Sequence, residues 1–243
     1  MKRGKTQARL AALAARALLG CLLGASAPLL AAEPAAGSWI SLFDGDTLHG
    51  WRGYHDAEPA GSWEASDGVL YGAGGQGDLM TVARYADFEL ALEWKVSAGG
   101  NSGIFYLAMP GLPAIYQGAP EMQVLDDAGH RDGADALTSA GAAYGLYAAP
   151  RGVVRPAGSW NQVRIRVLGN EVEHWLNGQR VVRYTLGSAD WRARVRASKF
   201  RAWPDYGMSR RGHIGLQDHG DPVWYRHLRL RPLQGAMGPE YNP

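Results

Sequence analysis

The chain has 243 residues, 46% of them apolar and 33 of them glycine, which suits a single all-β domain able to bury a sizeable core. Five of its 25 lysines and arginines (Lys2, Arg3, Lys5, Arg9 and Arg16) precede an acid-free apolar run at 17–32; without them 20 bases face 23 acids, a net charge of −3. The bases cluster at 151–211, but the arginines there mostly alternate with apolar residues, as in Val163-Arg164-Ile165-Arg166-Val167, which argues against a nucleic-acid binder; the only cysteine, Cys21, lies inside the apolar run.

The basic start followed by a short apolar run predicts a signal peptide over 1–32, with small residues Ala31 and Ala32 offering a cleavage site. The expected destination is the periplasm or the outside of the cell. A chain cleaved there keeps no cysteine, so disulfides, thiol catalysis and cysteine-ligated zinc are excluded. The alternative is a lipoprotein: Leu18-Leu19-Gly20 before Cys21 loosely matches a lipidation signal, and only then would the protein be membrane-attached. An Ala/Pro/Gly leader at 33–38 leads into one domain at 39–233, and 234–243 reads as an extended surface tail.

Along the domain the apolar pattern repeats every two residues, the period of half-buried strands. Strands are predicted at 68–71, 89–95, 104–107, 121–125, 161–168, 172–176, 180–185, 213–217 and 223–231. In 89–95, Leu90, Leu92 and Trp94 share the core face, and Glu89, Glu93 and Lys95 the other; in 121–125, Met122 and Val124 point inward, Glu121 and Gln123 outward. His174 shares the parity of Val172 and Leu176 and reads as a core histidine. Asn177-Gly178 marks a tight hairpin. About ten short strands between Gly, Pro and Asp turns, with no repeat and no long helical pattern, predict an all-β, two-sheet antiparallel jelly-roll sandwich. Arginines at 151–211 mostly alternate with apolar residues, which places them on solvated strand faces.

A sugar requires carboxylates or amides for its hydroxyls and aromatic faces for its C–H surface. Glu121, Gln123, Gln217 and His219 supply the first. Glu93 and Lys95 are further substrate-binding candidates, against the plainer reading of an exposed ion pair, and Asn101 offers a polar side chain from the rim. Asp126, Asp127, Asp132 and Asp135 crowd one loop with His130; Asp126 and His130 are candidates for substrate, and the cluster raises calcium as an optional cation, although its spacing fits no EF-hand and no cofactor or metal ligand set is predicted.

Several segments together resemble the 3-keto-disaccharide hydrolase domain family, a bacterial exported family with a concanavalin A-like lectin/glucanase jelly roll. The resemblance covers about 39–233. It rests on Ser41-Leu42-Phe43-Asp44-Gly45 with Gly50-Trp51, Trp94-Lys95, the run Gly99-Gly100-Asn101-Ser102-Gly103-Ile104-Phe105-Tyr106, and Glu121-Met122-Gln123-Val124-Leu125-Asp126. It continues through Gly158-Ser159-Trp160-Asn161, His174-Trp175-Leu176-Asn177-Gly178, Ser198-Lys199-Phe200 and Gly215-Leu216-Gln217-Asp218-His219-Gly220. It implies cleavage of glycosides whose sugar is already oxidised to a ketone at C3, and hence a sugar 3-oxidoreductase acting upstream. A C3 ketone acidifies the C2 proton: a base removes it, the enolate expels the C1 substituent, and water adds to the unsaturated sugar. Glu121 is the first candidate for the base, Lys199 for stabilising the enolate, and His219 for acid/base work. The Glu121-x-Gln123 pattern also resembles the catalytic strand of laminarinase-type glucanases, with Gln123 replacing an acid. A non-catalytic carbohydrate-binding module and an ordinary glucanase-type glycoside hydrolase remain the alternatives.

Overall fold

The computed structural model describes residues 37–59, 61–233 and 240–241. The predicted signal peptide at 1–32 with Cys21, most of the predicted leader and most of the tail lie outside the described residues. In chain order the strands are β1 (Ile40–Ser41), β2 (Trp51–Gly53), β3 (Trp63–Ser66), β4 (Val69–Gly72), β5 (Leu79–Thr81), β6 (Ala83–Arg84) and β7 (Phe88–Val96). Then follow β8 (Asn101–Ala108), β9 (Glu121–Leu125), β10 (Asn161–Leu168), β11 (Glu171–Leu176), β12 (Gln179–Thr185), β13 (His213–Leu216), β14 (Val223–Pro232) and β15 (Glu240–Tyr241).

Two antiparallel sheets pack face to face as a jelly-roll sandwich. The larger runs β12-β11-β10-β7-β14-β4-β3, with β1 also paired to β14; the smaller runs β2-β5-β13-β8-β9, and β6 pairs with β15 apart from both. The period-two pattern explains the layering. Leu90, Leu92 and Trp94 of β7 and Val163, Ile165 and Val167 of β10 meet Ile104 and Tyr106 of β8, Met122 and Val124 of β9, and Ile214 and Leu216 of β13 in one core. Each such side chain contributes about 1.5–3 kcal/mol on leaving water. Asn177 and Gly178 both take positive φ, 49° and 85°, as the two-residue turn between β11 and β12 requires.

His174 is fully buried, its ring bridging the Tyr106 hydroxyl at 2.8 Å and the Gly141 carbonyl at 3.1 Å. Burial lowers its pKa to about 4, so it stays neutral. Several elements go beyond the sequence expectation: the short strands β1, β2, β3, β5, β6 and β15, and a nine-residue α-helix, α1 (Ala189–Ala197). Only Trp191 on it is buried, so an arginine-rich surface hides the helical period; the local cue is Ser188, whose hydroxyl accepts the Trp191 N–H at 3.1 Å.

Candidate active site

The outer face of the smaller sheet is divided. One part is apolar: Tyr54, Met80 and Phe105 pack under Ile115 and Ala119 of the covering loop, apart from the main core. The other part is polar and forms a pocket of about 130 Å³ lined by Asn101, Tyr116, Glu121, Gln123, Tyr144, Lys199, Gln217 and His219. Strand pairing builds it. Asn101, Gly103 and Phe105 alternate outward on β8, and the β8–β9 register sets Gly103 opposite Gln123 and Phe105 opposite Glu121. A Cβ on Gly103 would stand 2.2 Å from Glu121 Oε1, so the missing side chain is what lets the carboxyl lie across β8.

Glu121 is only 5% exposed because the loops cover its strand, and no described group hydrogen-bonds its carboxyl. Burial pushes its pKa from 4.5 up to about 8, against the pull of the Lys199 charge. Lys199 enters on the 3-10 turn Lys199–Ala202, which Ser198 caps by accepting the Phe200 N–H at 3.2 Å. Although the residue keeps solvent contact, its ammonium stands over the rings of Tyr144 (4.4 Å), Tyr116 (5.2 Å) and Phe200 (5.3 Å). Burial lowers its pKa, with Glu121 and Asp132 opposing the shift. The Tyr144 hydroxyl donates to Asp132 at 3.3 Å, and the Tyr144 amide to the Glu121 carbonyl at 3.1 Å.

The amides complete the wall. Gln123 Nε2 donates to Asn101 Oδ1 at 3.4 Å, Asn101 Nδ2 lies 3.5 Å from His219 Nε2, and the side-chain carbonyls of Gln123 and Gln217 are buried without a partner. Acceptors in this position can take hydrogen bonds from hydroxyl groups. The loop bearing His219 is held by Asp218, whose carboxylate accepts the amides of Gly75, Gln76, Gly77 and Gly220. Burial opposes that charge, but the amides outweigh it and its pKa lies below the usual range.

Seven of the sequence candidates come together in this region. Glu121, Lys199, His219, Asn101, Gln123 and Gln217 line the pocket, and His130 reaches its rim, ring to ring 6.4 Å from His219. Glu93, Lys95 and Asp126 are not brought to it. Glu93 and Lys95 belong to β7 in the larger sheet: parity separates outward from inward but not one sheet from the other. Glu93 pairs with Arg226 at 2.7 Å, and the Lys95 ammonium stands over Trp224 (4.5 Å) and Trp160 (5.1 Å). Asp126 accepts the Gly99 and Ala128 amides at 2.8 and 3.2 Å and fastens two turns. Asp127 and Asp135 likewise accept backbone amides, from Ala140 and Leu137, and no cluster of three or more His, Cys, Asp or Glu suited to a metal occurs among the described residues. Sequence reasoning missed Tyr116 and Tyr144 as pocket walls. Tyr116 sits in Ala114-Ile115-Tyr116-Gln117, a weakly polar segment ahead of β9, while Tyr144, in a Gly/Ala-rich loop, carries no local signal.

A larger cleft, about 820 Å³, opens on the outer face of the other sheet around Ala91, Arg164, Trp175 and Arg229. The two differ in their carboxylates: Glu93, in the larger cleft, is already paired, whereas Glu121, in the smaller pocket, is buried, unpaired and shifted, which makes the smaller pocket the candidate active site.

The 3-keto-alpha-glucoside-1,2-lyase-like domain matches residues 38–231. The chain belongs to this family. It is 38% identical over 230 residues to the 3-keto-disaccharide hydrolase of Bacteroides thetaiotaomicron, covering 82% of this chain and 79% of that one. A crystal structure of a candidate glycosyl hydrolase from Parabacteroides distasonis superposes with a TM-score of 0.76 at 32% identity, over 81% of this chain and 94% of that one. A second from the same organism gives 0.66 at 27% identity, over 81% and 100%. As a member of this family the protein is a glycoside hydrolase-type enzyme.

Proposed function

We propose that the protein cleaves glycosides whose sugar carries a ketone at C3, by C2 proton removal, β-elimination and hydration. Glu121 takes the C2 proton, and the electron pair of that bond forms the C2=C3 enolate, whose C3 oxyanion the Lys199 ammonium stabilises. As the C3 carbonyl re-forms, the C1–O bond breaks, leaving a C1=C2 double bond; His219 protonates the departing oxygen. Water then adds at C1 and a proton returns to C2.

One observation carries this reading: Glu121 is the only carboxylate among the residues lining the pocket, and it faces an ammonium and amides rather than a second acid. An ordinary retaining glycosidase needs two carboxyl groups about 5–5.5 Å apart, and no ketone. A carboxyl with a pKa of about 8 is a stronger base than an ordinary glutamate, suited to a carbon acid once ionised. The substrate also implies an oxidoreductase that makes the ketone upstream, and the basic-apolar start of the chain supports export.

The test is turnover of a 3-keto disaccharide in deuterium oxide, corrected for exchange without enzyme. Deuterium at C2 of the released keto sugar is expected. Release without deuterium at C2 would remove the elimination route.

A further inference from the structure

We infer that the outer face of the larger sheet carries a second binding site, for a uronate-bearing glycan. The cleft of about 820 Å³ there is floored by Ala91 and bounded by Trp39 and Arg229 on one side and Trp175 and Arg164 on the other. Ala91 pairs with Arg164 across β10 and with Arg229 across β14, so the two arginines flank it about 10 Å apart, twice the strand spacing. A bulge between Arg226 and Arg229, with His227 at a φ of 54°, turns the β14 residues across this floor.

The charge pattern selects the ligand. The outward residues of β7 read Glu89, Ala91, Glu93 and Lys95, and both acids are occupied: Glu89 by Arg231 (3.1 Å) and Arg164 (3.8 Å), Glu93 by Arg226 (2.7 Å) and His227 (3.6 Å). At the position between them stands an alanine, and Arg229 pairs with no carboxylate among the described residues. Its guanidinium is instead held 4.8 Å from the Trp39 ring, and that of Arg164 lies 4.0 Å from Trp175. Stacking fixes each planar fork; Arg229 keeps its N–H edge free to take a carboxylate in two parallel hydrogen bonds, while Arg164, which gives Nη1 to Glu89 at 3.8 Å, adds a second ordered positive charge across the floor. Space, two ordered guanidiniums and indole walls together match a pyranose bearing a carboxylate. The site lies on the opposite outer face from Glu121, so it holds a glycan without occupying the reaction pocket.

Isothermal titration of the protein with hexagalacturonate, and with its methyl-esterified form, tests this. Binding of the acid form is expected, weakening as salt rises. Esterification, Ala91→Glu and Arg229→Ala should each weaken it about tenfold or more, the loss of one charge-assisted contact. Turnover of a small 3-keto glycoside and the melting temperature should stay at parent values in Arg229→Ala, which keeps the test valid if Ala91→Glu folds poorly. Equal affinity for ester and acid, absence of acid-form binding, or unchanged affinity in Arg229→Ala would overturn the inference. Binding that survives that variant would instead lie on the arginines of α1.

Discussion

Replacing Glu121 by Gln keeps the shape of a buried side chain and removes the option of charge, so it separates the catalytic from the structural meaning of that carboxyl. The unfolded chain releases the proton near pH 4.5, the folded chain near pH 8. Between those values the folded state holds a proton that the unfolded state has lost, so stability falls as pH rises from 4.5 to 8 and levels off above. From the two pKa values this amounts at pH 7 to about 3 kcal/mol against the folded protein, because each tenfold difference in proton affinity is worth about 1.4 kcal/mol. Glu121→Gln should therefore raise the melting temperature at pH 7 by several degrees and flatten that part of its pH dependence. Turnover should drop ~10²–10⁴-fold, the usual contribution of a positioned base. Thermal unfolding at pH 5, 7 and 9, alongside steady-state kinetics, reads both effects. A variant with near-normal turnover, or one whose stability keeps the parent's pH dependence, would refute the assignment.

The pH profile gives a second test: kcat/KM on a 3-keto substrate should rise with an apparent pKa near 8, and the residual profile of Lys199→Met should move to higher pH, because the ammonium opposes the upward shift of Glu121. A falling limb near 8 would make Glu121 the acid. Gly103→Ala should cut activity at least tenfold while the protein still folds, since the new Cβ would displace the Glu121 carboxyl; Met122→Asp, in the core, should fail to fold, as circular dichroism would show. For export, N-terminal sequencing of secreted material should begin near Glu33 or Gly37, whereas a lipidated Cys21 at the N-terminus would establish the lipoprotein alternative.

The layering of the fold was legible because alternation in segments such as 89–95 and 121–125 reports directly which side chains leave water. It placed Met122, Val124, Leu90, Leu92 and Trp94 in the core and sent Glu121 and Gln123 outward. Alternation is blind to which sheet a strand joins, so Glu93 and Lys95 were grouped with Glu121 although β7 and β9 lie in different sheets. It is equally blind to roofing loops: an outward residue on β9 is expected to be solvated, yet every residue of that strand is buried, and that burial gives Glu121 its shifted pKa. Lys199 and His219 were found through the segments surrounding them. Tyr144 was not, since its role depends on a loop folding back along β9. Asp126 looked like a binding residue because a carboxylate that accepts backbone amides in a turn has the same sequence signature as one that meets a ligand.

The central claim, that the enzyme requires a C3 ketone, is tested most directly by incubating the purified protein with a matched pair, a native disaccharide and its 3-keto form, and following release of the two sugars. Cleavage of the 3-keto form, with the native form left intact over the same period, is the predicted result. Cleavage of the native disaccharide at an equal or greater rate would contradict the account and return the pocket to ordinary glycoside hydrolysis.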